Sequence, residues 1–212
     1  MKKLLLWGAG GHGKVVLDTA RAAAAFHSIA FIDDKAGQHG SQMCGCPVFG
    51  VDRLALLKQE GYQYFVVCIG DNHLRAAGFH KVLAHGLEAA TLVDPSAVVS
   101  PSARIGRGTV ILRRVVVNAD AEIGENCIIN TGAIVEHDCR VAAHVHLSPG
   151  SVLGGGVKIG AFAHLGIGAI ALPGAEVGAE SVVGAGGVVL DSLPEGVTAV
   201  GVPARVLAGR RK

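Results

Sequence analysis

Residues 121–147 read AEIGENCIINTGAIVEHDCRVAAHVHL, and the spacing inside this stretch decides the fold. Ile123, Ile129, Val135, Val141 and Leu147 recur every six residues. The same step runs back to Val93 and forward to Val189, and every position on it is Val, Ile or Leu except Ala171. Two residues before each lies a second register of mostly smaller side chains, such as Ala121, Cys127, Ala133, Cys139 and Val145. A helix has no reason to repeat every six, and a flat strand alternates every two without such punctuation. A fixed six-residue period predicts a β-helix, in which short strands turn corners and stack coil on coil. Three faces then make one triangular coil of about eighteen residues, each face sending one aliphatic side chain inward. Residues eighteen apart should lie above one another in strands about 4.8 Å apart. Glycine follows the aliphatic residue at Gly106, Gly124, Gly160 and Gly178, where a backbone conformation costly for other residues is expected.

The bulk composition suits such a scaffold. Thirty-one glycines, 50 % hydrophobic residues and 4 % aromatics favour small and branched side chains over a large aromatic core. At 212 residues the chain can hold two small domains. A net charge of +2 argues against nucleic acid or a membrane surface as partner. The closing Arg210-Arg211-Lys212 reads as a solvated tail. The hydrophobic run at Met1 to Trp7 is too short for a signal peptide, and no stretch is long enough to span a bilayer. Of the five cysteines, Cys127 and Cys139 fall in the small-residue register, and Cys44 and Cys46 form a lone Cys-Gly-Cys without a second pair. No zinc site is expected from them, and the cytoplasm is the expected compartment.

Upstream of the repeat the chain alternates strands and helices. Lys3 to Trp7 predicts a strand, Lys14 to Ala25 a helix, and Ile29 to Ile32 a second strand closed by Asp33-Asp34. After a loop, Val51 to Glu60 reads as helix, Tyr64 to Ile69 as strand, Leu74 to His85 as helix, and Ala90 to Val93 as a last strand. This is a Rossmann-like α/β domain, residues 1–94, joined at Asp94-Pro95-Ser96 to the β-helix of residues 95–212. Gly8, Gly10 and Gly13 form G-x-G-x-x-G between the first strand and helix, with Asp33 about twenty residues on. Such a turn offers backbone N–H groups and a helix N-terminus to a phosphate. Because a β-helix follows instead of an oxidoreductase domain, the loop reads as a grip on the diphosphate of an activated substrate.

The Gly8-Ala9-Gly10-Gly11-His12-Gly13 loop, the Asp33-Asp34 strand end, Asn130-Thr131, Glu136-His137-Asp138 and the closing Gly201-Val202-Pro203-Ala204-Arg205 occur in that order. The combination resembles the bacterial hexapeptide-repeat nucleotide-sugar acetyltransferases: UDP-4-amino-sugar N-acetyltransferases and the related sialic acid O-acetyltransferases. The resemblance covers nearly the whole chain. It implies a left-handed β-helix, a homotrimer, and acetyl-CoA bound in a groove between neighbouring helices. It further implies acetylation of a UDP-4-amino-4,6-dideoxy sugar by direct attack of the amine on the thioester, with His137 as general base. Asp138 would raise the basicity of His137; where the family pattern carries glutamate, the shorter aspartate implies a different reach or a bridging water. Asn130 would orient the acceptor or His137. His146, Gly155, Ile167 and Ala185 match acetyl-CoA positions. Gly10, Gly11 and His12 match diphosphate and sugar positions, and Asp33, Asp34 and Gly70 match uridine positions.

The residue types fit that chemistry, since acyl transfer needs a base for the nucleophile and a donor for the oxyanion. His137 lies two positions after the core residue Val135 and should face outward. His146 and His164, eighteen apart, should stack; with Ile128 and Val182 completing the column, no metal site is expected there. O-acetylation of a sugar hydroxyl and a non-catalytic trimeric nucleotide-binding scaffold remain the alternatives, with an NAD-linked oxidoreductase last.

Overall fold

A computed structural model describes residues 2–207; the Arg210-Arg211-Lys212 tail lies outside the described residues. The N-terminal unit is a six-stranded sheet in the order β3-β4-β2-β1-β5-β6. Its strands are β1 (Lys3–Trp7), β2 (Ser28–Asp33), β3 (Gln42–Met43), β4 (Cys46–Gly50), β5 (Tyr62–Val67) and β6 (Glu88–Ala89). The helices are α1 (Gly11–Ala22), α2 (Leu54–Gln59) and α3 (Asn72–Ala84). All pairings are parallel except β3 with β4. Both faces of the sheet are covered, so β1 reads Leu4, Leu5, Leu6 and Trp7 without alternation, all at most 5 % exposed.

Four details differ from the expectation. Helix α1 starts at Gly11, three residues early, because the glycine loop itself turns into the helix: a side chain on Gly13 would strike the Gly8 carbonyl. Helix α3 starts at Asn72, where the Asp71 carboxylate accepts the N–H groups of His73 and Leu74 at 2.9 Å. The segment read as a loop contains the β3–β4 hairpin, turned by Cys44 and Gly45, both at positive φ. The Cys-Gly-Cys is thus a turn, Cys44 exposed and Cys46 buried. Finally, Leu92–Val93 does not belong to the α/β sheet; it pairs with Val110–Ile111 as the first rung of the β-helix.

The β-helix is built of two-residue rungs in three parallel sheets. Rungs eighteen apart pair in register, as in Ile128↔His146↔His164↔Val182. The inward residues form one continuous apolar column, with Ile129, Val135, Leu147, Leu153 and Leu165 at 0 % exposure. Every sixth residue from Gly108 to Gly186 has positive φ, including Asn126, Asp138, His144, Phe162 and Glu180. The corner glycines Gly106, Gly124, Gly160 and Gly178 are not at these positions. They serve close stacking instead: a Cβ on Gly106 would lie 2.5 Å from the backbone of Gly124 and Glu125 on the next coil. Arg205–Val206 turns back antiparallel on Thr198–Val200 at the end of the stack.

The outward column differs on each face. On the first, Leu92, Val110 and Ile128 are at most 1 % exposed, because the α/β unit packs over them; His146 and His164 follow in the same column. On the second, the outward residues are Val98, Val116, Ile134, Val152, Ile170 and Val188. On the third they are Arg104, Glu122, Arg140, Lys158 and Glu176, laced by ion pairs. One face is covered, one is charged, and one is aliphatic.

Candidate active site

His137 lies on the corner between the aliphatic and charged faces, its side chain 62 % exposed. Its Nδ1 meets Asp138 Oδ2 directly at 2.8 Å, so the shorter carboxylate needs no bridging water. Asp138 reaches it because its backbone is left-handed, at φ 61°. A carboxylate accepts only, so Nδ1–H donates and Nε2 keeps a lone pair for a substrate proton. The hydrogen bond to Asp138 raises the pKa of His137 above its usual value, and the charges of Asp138 and Glu136 add to it. Gly155, one coil further on, packs against the ring: a Cβ there would lie 2.7 Å from Cε1 and Nε2.

A second group lies across the aliphatic face, on the corner next to the α/β unit. Asn130 Nδ2 donates to His146 Nε2 at 3.2 Å, and His146 Nδ1 donates to the Gly70 carbonyl at 3.3 Å. His146 stacks on His164 with ring centroids 4.7 Å apart and planes 4° apart, and Ser148 Oγ lies 2.8 Å from His164 Nε2. His12, from the glycine loop, lies 6.4 Å from the His146 ring, and its Nε2 is buried without a protein partner. Burial, with the nearby charge of Arg75, pushes His12 down to about 4. Burial, His164, Arg75 and His12 push His146 down to about 3. Both rings are therefore neutral at physiological pH. Ile167 is 64 % exposed on this corner, one turn from Ala185, also exposed.

The predicted nucleotide residues gather at the C-terminal ends of β1, β2 and β5. Gly10, Gly11 and Gly70 are exposed there. Asp33 accepts the N–H of Ala9 through Oδ2 at 2.7 Å and that of Lys35 through Oδ1 at 2.9 Å. Asp34 accepts the Trp7 indole N–H at 3.2 Å. Asp33 thus holds the glycine loop with both carboxylate oxygens engaged, and Asp34 has one oxygen engaged. Within one chain, Asn130, His146, His12 and Gly70 come together, whereas His137, Asp138 and Gly155 form a separate group on the opposite edge of the aliphatic face. A concavity of about 730 Å³ follows the charged face and touches neither group. Its ladder of ion pairs marks a solvated surface.

Among the described residues, one group has the donor set for a metal ion: His80, Glu125 and His144, with ligand atoms within 4.8 Å of one another. Arg107 Nε already holds Glu125 at 2.8 Å. The His146–His164 pair has no third ligand in its column.

Comparison with known proteins gives this geometry a family. Residues 3–82 match the PglD N-terminal domain, and residues 120–155 match the bacterial transferase hexapeptide repeats. A His-to-Asn variant of the perosamine N-acetyltransferase from Caulobacter crescentus, solved with CoA and GDP-perosamine, is 43 % identical. Its TM-score is 0.93, over 98 % of each chain. The chain belongs to the hexapeptide-repeat sugar N-acetyltransferases. The β-helix is accordingly left-handed. The acetyltransferase domain of PglB from Neisseria gonorrhoeae, in complex with acetyl coenzyme A, is 38 % identical with a TM-score of 0.90, over 97 % of this chain and 99 % of that one. The UDP-N-acetylbacillosamine N-acetyltransferase of Bacillus subtilis is 40 % identical over 114 residues, about half the length of each protein.

One feature of the molecule carries a signal that the reading of the sequence missed. Val98, Val116, Ile134, Val152, Ile170 and Val188 are spaced by eighteen, one residue before the core register. The corresponding outward positions of the third face are charged, and that contrast in the sequence alone marks the second face as a surface to be covered.

Proposed function

We propose that this protein transfers the acetyl group of acetyl-CoA to the 4-amino group of a nucleotide-linked 4-amino-4,6-dideoxy sugar, with His137 as general base, in a homotrimer. The observation that carries the reading is the His137–Asp138 pair at 2.8 Å with Nε2 open beside Gly155. Nε2 takes a proton from the amine as nitrogen attacks the thioester carbonyl. A C–N bond forms, the tetrahedral intermediate collapses with loss of the C–S bond, and the leaving thiolate takes up the proton. The Gly155 N–H, which has no acceptor among the described residues, is the donor suited to the developing oxyanion. The nearby Cys139 is buried in the β-helix core with its thiol on the Gly154 carbonyl, so it does not support an acyl-enzyme route.

The aliphatic face supports the assembly. A column of Val and Ile between two polar edges needs a cover, and a cyclic, head-to-tail contact brings one edge against the other. The His137 edge of one copy then meets the Asn130–His146 edge of its neighbour, and acetyl-CoA lies along their seam past Gly155, Ile167 and Ala185. Asp138 would tune His137, and Asn130 would orient the acceptor. The diphosphate lies on Gly10, Gly11 and His12, and the nucleoside beside Asp33, Asp34 and Gly70. Among the described residues no helix is long and apolar enough to cross a membrane; with acetyl-CoA and a nucleotide sugar as substrates, the cytoplasm is the compartment.

We take the nucleotide to be UDP, although relatives name both a UDP and a GDP sugar. The test is thiol release from acetyl-CoA with UDP- and GDP-linked 4-amino sugars and with free sialic acid. Turnover with a UDP-linked amine is expected, and turnover with sialic acid alone makes the protein an O-acetyltransferase. A folded protein that neither turns over any acceptor nor binds acetyl-CoA is a scaffold.

A further inference from the structure

Arg75 is the largest fully buried side chain, at 1 % exposure. It stands on α3, where the α/β unit meets the β-helix, and it holds both. Nε donates to the Asn126 carbonyl at 2.9 Å. Nη2 donates to Asn72 Oδ1 at 2.7 Å and to the carbonyls of His144 and Val145 at 2.8 and 3.3 Å. Nη1 donates to the carbonyls of Ile69 and Gly70 at 3.1 and 3.2 Å. Burial lowers its pKa to about 10, which still leaves it charged near neutrality.

The Gly70 carbonyl links Arg75 to His146. Besides Arg75 it accepts a hydrogen bond from His146 Nδ1. A carbonyl only accepts, so Nδ1 carries the proton and Nε2 of a neutral ring is bare. Nε2 faces the Asn130 amide. The orientation of that amide follows from its other end, where Thr131 N–H donates to Oδ1 at 2.8 Å, so Nδ2 must face the ring. The hydrogen bonds thus run in one direction, Thr131 to Asn130 to His146 to the Gly70 carbonyl, and end on a carbonyl polarised by a buried cation. Asn130 uses one amide N–H on His146 and keeps the other for a ligand.

We propose that Arg75 is a positioning residue for acetyl transfer, which through Gly70 fixes the tautomer of His146 and so presents the bare Nε2 that the Asn130 amide N–H meets. This rests on the reading that Asn130 and His146 line the acetyl-transfer groove. The groups facing His146 agree: His164 stacked on it, His12 across from it and Arg75 behind Gly70 all oppose a second proton, and only the Gly70 carbonyl favours one. A residue serving only to rivet two domains would leave the tautomer of His146 indifferent.

The test is ¹⁵N NMR of the full-length protein labelled at histidine, with His146 assigned from a His146→Gln variant. In the native protein His146 should be neutral, protonated on Nδ1, and should not titrate between about pH 5 and pH 8. In Arg75→Met the ring should lose its single tautomer, and kcat should fall about tenfold or more as the groove is misaligned. Should that variant fail to fold, Asn130→Asp probes the chain from its exposed end. A carboxylate opposite Nε2 can only accept, so His146 should take a second proton within the same pH range. A native His146 protonated on Nε2, or a ring unchanged in both variants, overturns the proposal. Absence of acetyltransferase activity in the native protein, with the tautomer as stated, would refute the functional reading and leave the hydrogen-bond chain standing.

Discussion

Gly155→Ala isolates the placement of the base from its chemistry. A Cβ at this position would lie 2.7 Å from both Cε1 and Nε2 of His137. Carbon atoms in contact rest about 3.5–4.0 Å apart, so the ring must move by about 1 Å. Gly155 is not in the left-handed region, so alanine meets no backbone strain there. The imidazole is 62 % exposed and can swing into solvent, which leaves packing and the thermal midpoint unchanged. Catalysis does not share that tolerance: a misplacement of about 1 Å in a reacting group lowers the rate about a hundredfold. Steady-state thiol release should therefore show kcat down by about that factor, with the KM for the nucleotide sugar near the native value and an unchanged melting curve. A folded variant with kcat within about twofold of native would show that the reaction does not depend on the ring being held against Gly155.

Other outcomes follow from the same geometry. A general base works deprotonated, so kcat should rise with pH through the raised pKa of His137, with its acid limb centred above about 6.5. Asp138→Asn should move that limb to lower pH, and a pH–rate profile of both proteins checks it. His12 and His146 have folded pKa values near 4 and 3, below the unfolded value. The unfolded state then binds more protons, so stability is lost as pH falls from about 6.5 towards 4, by a few kcal/mol, readable in urea midpoints. Val152→Asp puts a carboxylate in the middle of the aliphatic column and should give monomers in sedimentation with no turnover. Gly13→Ala drives a methyl into the Gly8 carbonyl and the Phe31 ring and should destabilise the α/β unit by about 1–3 kcal/mol, measured by thermal unfolding.

The β-helix was legible because one physical constraint, an aliphatic residue filling the core at each face, repeats unchanged from Val93 to Val189. The six-residue step places Ile128, His146, His164 and Val182 in one column, and they pair in that order. It could not give the role of the corner glycines, since Gly106 looks the same in sequence whether it relieves φ or makes room for the next coil. The ends of α1 and α3 shifted because Gly13 and Asp71 act through contacts with Gly8 and through a cap, not through apolar period. The β3–β4 hairpin has strands too short to show a period. His137 and its carboxylate were readable as a motif, but Arg75 was not: nothing in the sequence distinguishes it from a surface arginine on a helix until α3 is packed on the coil.

In the proposed reaction His137 removes the proton from the attacking amine. We would compare kcat of the native protein and of His137→Ala with saturating acetyl-CoA and the preferred nucleotide-linked amino sugar, on preparations of matched acetyl-CoA affinity. Loss of a general base should lower kcat by about a hundredfold or more. A variant that binds acetyl-CoA as the native protein does and turns over at the native rate would contradict the account.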